Sequence, residues 1–522
     1  MSRAVFGGVL IAALAGALAL RLAAADLRPM HHDEANQAVK FGTLLEHGDY
    51  HYDRNDHHGP TLYYLTLPVA WARGQATLAS LDERTLRAVP AVFGAGLILL
   101  FLPLTRRFGR PAVAAAAILA ALSPALTCFS RYYIQESLFA WFVVAFLVAA
   151  GRFAERPGPA TAVCAGAMAG LAYSTKETSV IALSAVVLAA VLARVTTRSA
   201  DAPDDATAPR VSAGRRAAWV AAGVAAAIVV AFAFYSSFLK YPGGLFESIR
   251  AFGVYFDRGF GPGSHSQPFG YYARLLAYSS SGGLVWTEGL VLVLACAGMI
   301  ASALRSPAIP SGFWGRYVSL YALIAFAGFS AIRYKTPWNL VPFYAGFVLM
   351  AGVGTAAIVR GVRSRAWRVL VILALVIAVS HLGLQNWRAN FRYPADPRNP
   401  YVYAQTVPDF LRLTQRVLDV AALHPDRSAM LVKVVAGPYE QWPLPWYLRR
   451  MTRVGYWTRA DRAGRLADAP VVIASQDQAD AVAAALGGDY VQEFYGLRPD
   501  VLLAIFIERP SWDRFLASRQ PR

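Results

Sequence analysis

Eleven apolar runs constrain this chain more than anything else in it. They fall at about 4–25, 86–105, 111–129, 137–153, 160–174, 178–194, 217–238, 284–304, 315–332, 338–359 and 367–384. Each is near the roughly 20 residues that a helix needs to cross a bilayer. In hydrocarbon every backbone polar group has to be satisfied within its own segment, so such runs are helices. The 522-residue chain is 56% hydrophobic and only 16% charged, well below the roughly 25% usual in soluble domains. The expected fold is a polytopic α-helical membrane protein of about eleven transmembrane helices, followed by a small C-terminal α/β domain. The shorter run at 61–73 reads as a helix lying along the membrane surface.

The net charge of +18 does not point to nucleic acid, because much of the Arg excess flanks the apolar runs, where anchoring and orientation account for it. The first run is long for the core of a signal peptide and reads as a retained span. Cys128, Cys164 and Cys296 lie inside apolar runs without CxxC spacing and read as small core residues. With the N-terminus in the cytoplasm, the connections at 106–110, 151–159, 193–216, 305–316 and 360–368 are cytoplasmic, and all carry Arg, as the positive-inside rule requires. The 193–216 connection is rich in Ala, Pro, Asp and Arg and reads as a flexible linker. This places the chain in the cytoplasmic (inner) membrane.

The opposite connections differ chemically. They hold Met30–Pro60, SRYYIQES (130–137), STKET (174–178), the stretch 240–283 and IRYKTPWN (332–339). Met30–Pro60 alone contains six of the nine histidines. Ionisable groups gathered this way suit a water-facing cleft at the outer surface better than a solvated loop. The chain divides into residues 1–384, with a large first outer loop at 26–85, and residues 385–522. In the second part, apolar stretches at 430–437, 469–476 and 501–509 alternate with helical patterns at 407–423 and 477–488, an α/β arrangement outside the membrane. GPYEQWPLPWYLRR (437–450) follows a predicted strand, so it either faces a ligand or packs on the membrane surface.

Asp33 and Glu34 are the first candidate catalytic carboxylates. Neighbours on a helix point about 100° apart, so one of them faces a given atom. Asp33 is favoured as general base; capping of the following helix is the competing reading for both. Glu136 is a second carboxylate facing Asp33, or again a cap. Arg131, Lys176, Arg333 and Lys335 are cations at the outer headgroup level, suited to a lipid-linked phosphate. Arg333 and Lys335 break the positive-inside pattern, which a plain anchor would not do. Tyr132, Tyr133, His265, Tyr334 and Trp338 are candidate substrate contacts. His265 sits in a long Gly- and Pro-rich segment of lid-like composition. His31, His32, Asp33, Glu136, His57 and His58 are candidate ligands of a divalent metal, though no tight ligand spacing is present.

Taken together, HHDEANQAVKFGTLLEHGDYHYD, HHGPTLYYL, RYYIQES, STKE, YKTPWN and WPLPWYLR resemble the membrane glycosyltransferases of the GT-C fold. These include protein O-mannosyltransferases, aminoarabinose transferases and oligosaccharyltransferase catalytic subunits. The motifs look most like the Agl23-type, flippase-activity-associated group, and the resemblance spans most of the chain. It implies transfer of a sugar, with inversion, from a polyprenyl-phosphate donor to a glycan, lipid or protein acceptor on the outer face. Asp33 falls on the family's catalytic acidic position and Glu136 on its second. The histidine richness departs from the pattern and leaves metal use open. No WWDxG-like motif is present, which argues against transfer to asparagine. A transport or flippase component is the alternative reading, but transporters carry polar groups at mid-membrane, and here they gather at the outer ends.

Overall fold

The computed structural model describes residues 1–56, 58–197, 211–260, 265–304 and 312–519. Every apolar run coincides with a helix or a bent helix pair. Among the described residues, seven helices are long and apolar enough to cross a membrane: Arg3–Leu22, Glu83–Phe108, Glu136–Glu155, Ser179–Thr196, Ala213–Tyr235, Pro337–Gly361 and Arg365–Arg392. The run at 111–129 is instead a pair, Arg110–Leu122 and Pro124–Ser130, bent by 58°. Ser123 sits at the break, and its hydroxyl accepts from the Leu126 amide, so the second helix is capped where proline starts it. The helices at 159–173 and 289–303 are apolar but shorter. The run at 315–332 lies, to within one residue, inside the helix Gly312–Ala331.

Close helix crossings rest on small residues, as expected where lipid supplies no hydrophobic drive between helices. A Cβ on Gly354 would lie 1.9 Å from the carbonyl oxygen of Leu294, and one on Gly298 would lie 2.1 Å from that of Met350. Outward faces are apolar, with Ile11, Val229 and Ile377 exposed. Cys128 is buried, whereas Cys164 and Cys296 lie on those outer faces rather than in the core. The linker expected at 193–216 falls largely on residues outside the described ones.

Beyond the helices the chain builds the segments that frame a cleft. The first outer loop contains two helices, His32–His47 and Thr61–Ala72. The stretch 240–283 contributes the helices Gly244–Phe260 and Tyr271–Ala277. A hairpin of β1 (Ser279–Ser281) and β2 (Leu284–Trp286) follows. The C-terminal sheet comprises β3 (Val432–Val435), β4 (Val454–Trp457), β5 (Val471–Ser475), β6 (Tyr490–Arg498) and β7 (Val501–Glu508). Its order is β4-β3-β5-β7-β6. β3 runs parallel to β4 and β5, and β7 is antiparallel to β5 and β6. The predicted strands are therefore present, and β3 and β5 are buried along their whole length.

The sheet domain is fastened to the first outer loop. The Met30 amide donates to the Tyr447 hydroxyl at 2.9 Å. Trp446 donates to Glu83 at 2.8 Å, and Arg449 donates to the carbonyl of Leu81 at 2.8 Å. Gln405 and Thr406 donate to the carbonyls of Pro29 and Met30. WPLPWYLRR thus packs against the helical part through Trp446, while Leu444 enters the sheet domain's own core; both are fully buried.

Candidate functional site

The helix His32–His47 sets the geometry. His31 is its N-cap, and its Nδ1 accepts from the Asp33 amide at 3.0 Å. His31 Nε2 lies 3.0 Å from the carbonyl oxygen of Tyr403. A carbonyl only accepts, so Nε2 carries the proton and the ring is the neutral tautomer. Burial holds the pKa of His31 below its ordinary value despite Asp33 and Glu34 nearby, in agreement with that tautomer. The backbone N–H of His31 donates to Glu34, closing a capping box.

Glu34 and Asp33 then take opposite parts. Glu34 is fully buried. Its carboxylate receives Arg87 Nε at 2.7 Å and Arg87 Nη2 at 2.8 Å, a bidentate pair. It also accepts the Tyr133 amide at 2.8 Å. Burial opposes its charge, but Arg87 and Arg28 outweigh that and hold its carboxyl below the usual carboxylate range. Glu34, expected as a catalytic partner, is instead a saturated structural carboxylate with no lone pair for a substrate. Asp33 points elsewhere, with its side chain 33% exposed. His31 Nδ1 lies 3.8 Å from its carboxylate, and its charge bears on His265, Tyr403 and Arg498.

Around Asp33 stands a ring of aromatic and imidazole side chains. His31 meets Trp338 edge-on at 5.6 Å, and Trp338 meets Tyr403 at 5.7 Å. His265 lies 5.0 Å from Tyr334 and hydrogen-bonds the Tyr403 hydroxyl. Burial lowers the pKa of His265. His32 faces Tyr439 at 6.1 Å and Trp442 at 5.9 Å. The structure therefore brings together Asp33, His31, His32, His265, Tyr334 and Trp338 of the residues expected from sequence.

Of Tyr132 and Tyr133, both expected to touch substrate, Tyr133 does not join this ring, and Tyr132 meets it edge-on through His31 at 6.1 Å. Both are buried core residues: Arg28 stacks on Tyr132 at 3.2 Å, Tyr132 donates to Gln405, and Tyr133 pairs with Thr66. Arg131, expected at the phosphate, donates to the carbonyls of Leu20, Arg21, Ala23 and Ala24. It thereby closes the C-terminus of the first helix, whose last carbonyls have no intrahelical donor. Lys176 pairs with Glu136 and donates to Asn339 at 2.7 Å. Both members of that pair are buried, so Glu136 faces a lysine rather than an open site.

Arg333 and Lys335 are placed differently. With Ser330, Ser266 and Gln267 they line a cavity of about 370 Å³. Arg333 is exposed and makes no ion pair among the described residues. Lys335 donates to the carbonyls of Gln267 and Ile332, which leaves its third N–H without an acceptor among the described residues. Burial lowers its pKa. The hydroxyls of Ser330 and Thr336 are buried without hydrogen-bond partners, which native structures rarely leave so.

Residues 67–202 match the family described as dolichyl-phosphate-mannose-protein mannosyltransferase. The structure of ArnT from Cupriavidus metallidurans bound to undecaprenyl phosphate is similar at a TM-score of 0.60 and 16% identity, over 95% of this chain and 98% of that one. Its apo form gives 0.61 and 17%, over the same shares. Archaeal oligosaccharyltransferase AglB from Archaeoglobus fulgidus, in complex with an inhibitory peptide and a dolichol-phosphate, gives 0.55 and 14%, over 94% of this chain and 72% of that one. The fold is that of the GT-C membrane glycosyltransferases. The matches reach this fold and not the Agl23-type group within it. No curated protein matches the chain.

Within the GT-C fold the expected metal ligands are scattered. Among the described residues no group of three or more His, Cys, Asp or Glu is placed to hold an ion. His31 has both ring nitrogens engaged, Glu136 is held by Lys176, and His57 lies outside the described residues. His58 Nδ1 lies 2.7 Å from Glu177, which also accepts from Tyr52 at 2.8 Å. Burial raises the pKa of Glu177, but His58 and Tyr52 outweigh it and bring the carboxyl below its usual range. This cluster fastens the histidine-rich loop instead of presenting it.

Sequence reasoning missed Arg87, Glu288, Arg498 and Tyr403, and it singled out the stretches that hold Glu177 and Tyr439 without giving either residue a role. Glu288 is buried and accepts from Ser123, the Ala125 amide, Tyr344 and Tyr401, all at 2.6–2.9 Å. It ties the bent helix pair to the C-terminal segment. Its signal was available: a carboxylate inside an apolar run is unusual enough to mark a built feature.

Proposed function

We propose that this chain is an integral membrane glycosyltransferase that moves a sugar from a polyprenyl-phosphate donor to an acceptor at the outer face of the cytoplasmic membrane. The observation that carries the reading is the contrast among three carboxylates within a GT-C fold. Glu34 is neutralised by Arg87 and Glu136 by Lys176, while Asp33 remains partly open inside an aromatic ring. Sugar sites are commonly built this way, with apolar faces and a few placed polar groups. The bound lipid phosphates of ArnT and AglB support a carrier of the same chemistry here.

The chemistry follows from those groups. An acceptor hydroxyl is a poor nucleophile at neutral pH, so Asp33 takes its proton as the bond forms. The acceptor oxygen attacks the anomeric carbon while the carbon–oxygen bond to phosphate breaks. The electron pair leaves with the polyprenyl phosphate, and the configuration inverts in this single displacement. The leaving group needs charge stabilisation rather than a proton. Arg333 and Lys335 provide it, with the Ser330 and Thr336 hydroxyls as further donors. Arg131 and Lys176 are excluded from that role by their own partners, and they position helices instead. Tyr334, His265 and Trp338 shape the sugar-binding wall.

The test is direct. Purified protein in liposomes is given a panel of synthetic polyprenyl-phosphate sugars with membrane-derived acceptors, and free polyprenyl phosphate is measured. Release that depends on both donor and acceptor is expected; no release with any donor would contradict the proposal.

A further inference from the structure

The C-terminal sheet domain places Tyr439 and Trp442 against His32, and Arg498 within the field of Asp33. Tyr439 is 70% exposed, although its ring lies only 31° from coplanar with His32. A tyrosine packing for stability alone would be covered. Trp442 lies 5.9 Å from His32 and also packs against the core of the helical part. Arg498, at the end of β6, donates to the carbonyl of Tyr439 at 2.9 Å. Among the described residues that is its only side-chain hydrogen bond, and it makes no ion pair. Its remaining N–H groups are available in a half-buried position, where burial lowers its pKa and the charges of Glu440 and Asp33 raise it.

We propose that Tyr439, Trp442 and Arg498 form the acceptor subsite and that the acceptor is a neutral glycan. This rests on the transferase reading above. A pyranose ring has an apolar face that stacks on an exposed aromatic ring, and hydroxyls that need donors and acceptors at its edge. Arg498 and Glu440 supply both kinds. The charges of Asp33 and Glu440 both bear on the Arg498 guanidinium, so an acidic saccharide is disfavoured there relative to a neutral one. His32, which faces the stacking ring, is the chain neighbour of Asp33, so a glycan held on Tyr439 lies close to the base. Tyr439 and Trp442 therefore determine specificity, and Arg498 fixes their loop as well as the ligand.

Saturation-transfer NMR on the full chain in nanodiscs tests this. The probes are neutral gluco-, manno- and galacto-hexaoses, hexagalacturonate, and a Ser/Thr-rich decapeptide. At least one neutral hexaose should bind, and hexagalacturonate should bind more weakly. Tyr439→Ala and Arg498→Gln should each weaken hexaose binding about tenfold or more, while Tyr439→Phe retains it. Undecaprenyl phosphate binding should stay unchanged in all three variants, which a folding defect would not allow. Asp33→Asn should also keep hexaose binding, so the subsite stands or falls independently of the transfer reaction. The inference is overturned if no neutral hexaose binds, if Tyr439→Ala binds as the wild type does, or if the decapeptide binds in a Tyr439-dependent way.

Discussion

Replacing Glu34 with Gln should unfold this protein rather than slow its chemistry. The side chain is fully buried and receives two hydrogen bonds from Arg87, one from the His31 amide and one from the Tyr133 amide. Gln has one acceptor oxygen and no charge, so Arg87 is left as a buried cation without its counter-ion. Breaking a buried pair on one side costs about 3–5 kcal/mol. That is a loss of about a hundredfold or more in the folded-to-unfolded ratio. Arg87→Met should cost a similar amount. The double change Glu34→Leu with Arg87→Met removes both charges and should recover most of the loss. The pH dependence has a definite sign. The folded-state pKa of Glu34 lies below its ordinary value, so the stabilisation is complete above the unfolded carboxylate pKa of about 4.3. It is lost as the pH falls through the lower, folded value. Thermal unfolding in nanodiscs across acidic pH reads both effects, and Glu34→Gln should lack the acid-dependent component. Wild-type stability in Glu34→Gln, together with lost transfer by folded protein, would refute this reasoning and return Glu34 to the chemistry.

Further outcomes follow from the same geometry. Arg333→Gln with Lys335→Gln should weaken undecaprenyl phosphate binding about tenfold or more, as expected for lost charge-assisted bonds, with little change in unfolding temperature; unchanged binding with a large loss of stability would make them anchors. Lys176→Met should destabilise the chain by about 3 kcal/mol or more, because Glu136 is left buried and alone, and Glu136→Gln with Lys176→Met should restore part of it in the same unfolding assay. Cysteines introduced at the exposed positions Thr43 and Gly488, after removal of the native three, should react with impermeant reagents in intact cells; labelling only after lysis would reverse the proposed orientation. Glu177→Gln should raise hydrogen exchange across residues 49–58, because Tyr52 and His58 lose their shared acceptor.

The helical framework was legible because hydrocarbon enforces one rule along every span, and each apolar run became a helix or a bent pair. The sheet domain was legible from alternation around Val432–Val435 and Val471–Ser475. Asp33 was legible as a carboxylate beside the first span. The partners of its neighbours were not. Arg87 lies 53 residues from Glu34, in a position that reads as an ordinary flanking arginine. Arg131 has the charge and depth of a phosphate ligand, and only tertiary structure shows that it closes a helix end. Tyr132 and Tyr133 carry the composition of an interfacial belt, yet Arg28 and Thr66 take them into the core. The histidine-rich loop looked like a ligand set because sequence shows donor types without their directions. In the fold, Glu177 and the carbonyl of Tyr403 turn His58 and His31 away from a common point.

The decisive measurement is sugar transfer by Asp33→Asn in liposomes with a labelled polyprenyl-phosphate donor, alongside donor binding by the same protein. The substitution is nearly isosteric, and the Asp33 side chain is 33% exposed. Transfer should fall about a hundred- to ten-thousand-fold, as for loss of a general base, with donor binding and unfolding temperature unchanged. Near wild-type transfer by Asp33→Asn would contradict the assignment of the base and the reading of this cleft as the catalytic one.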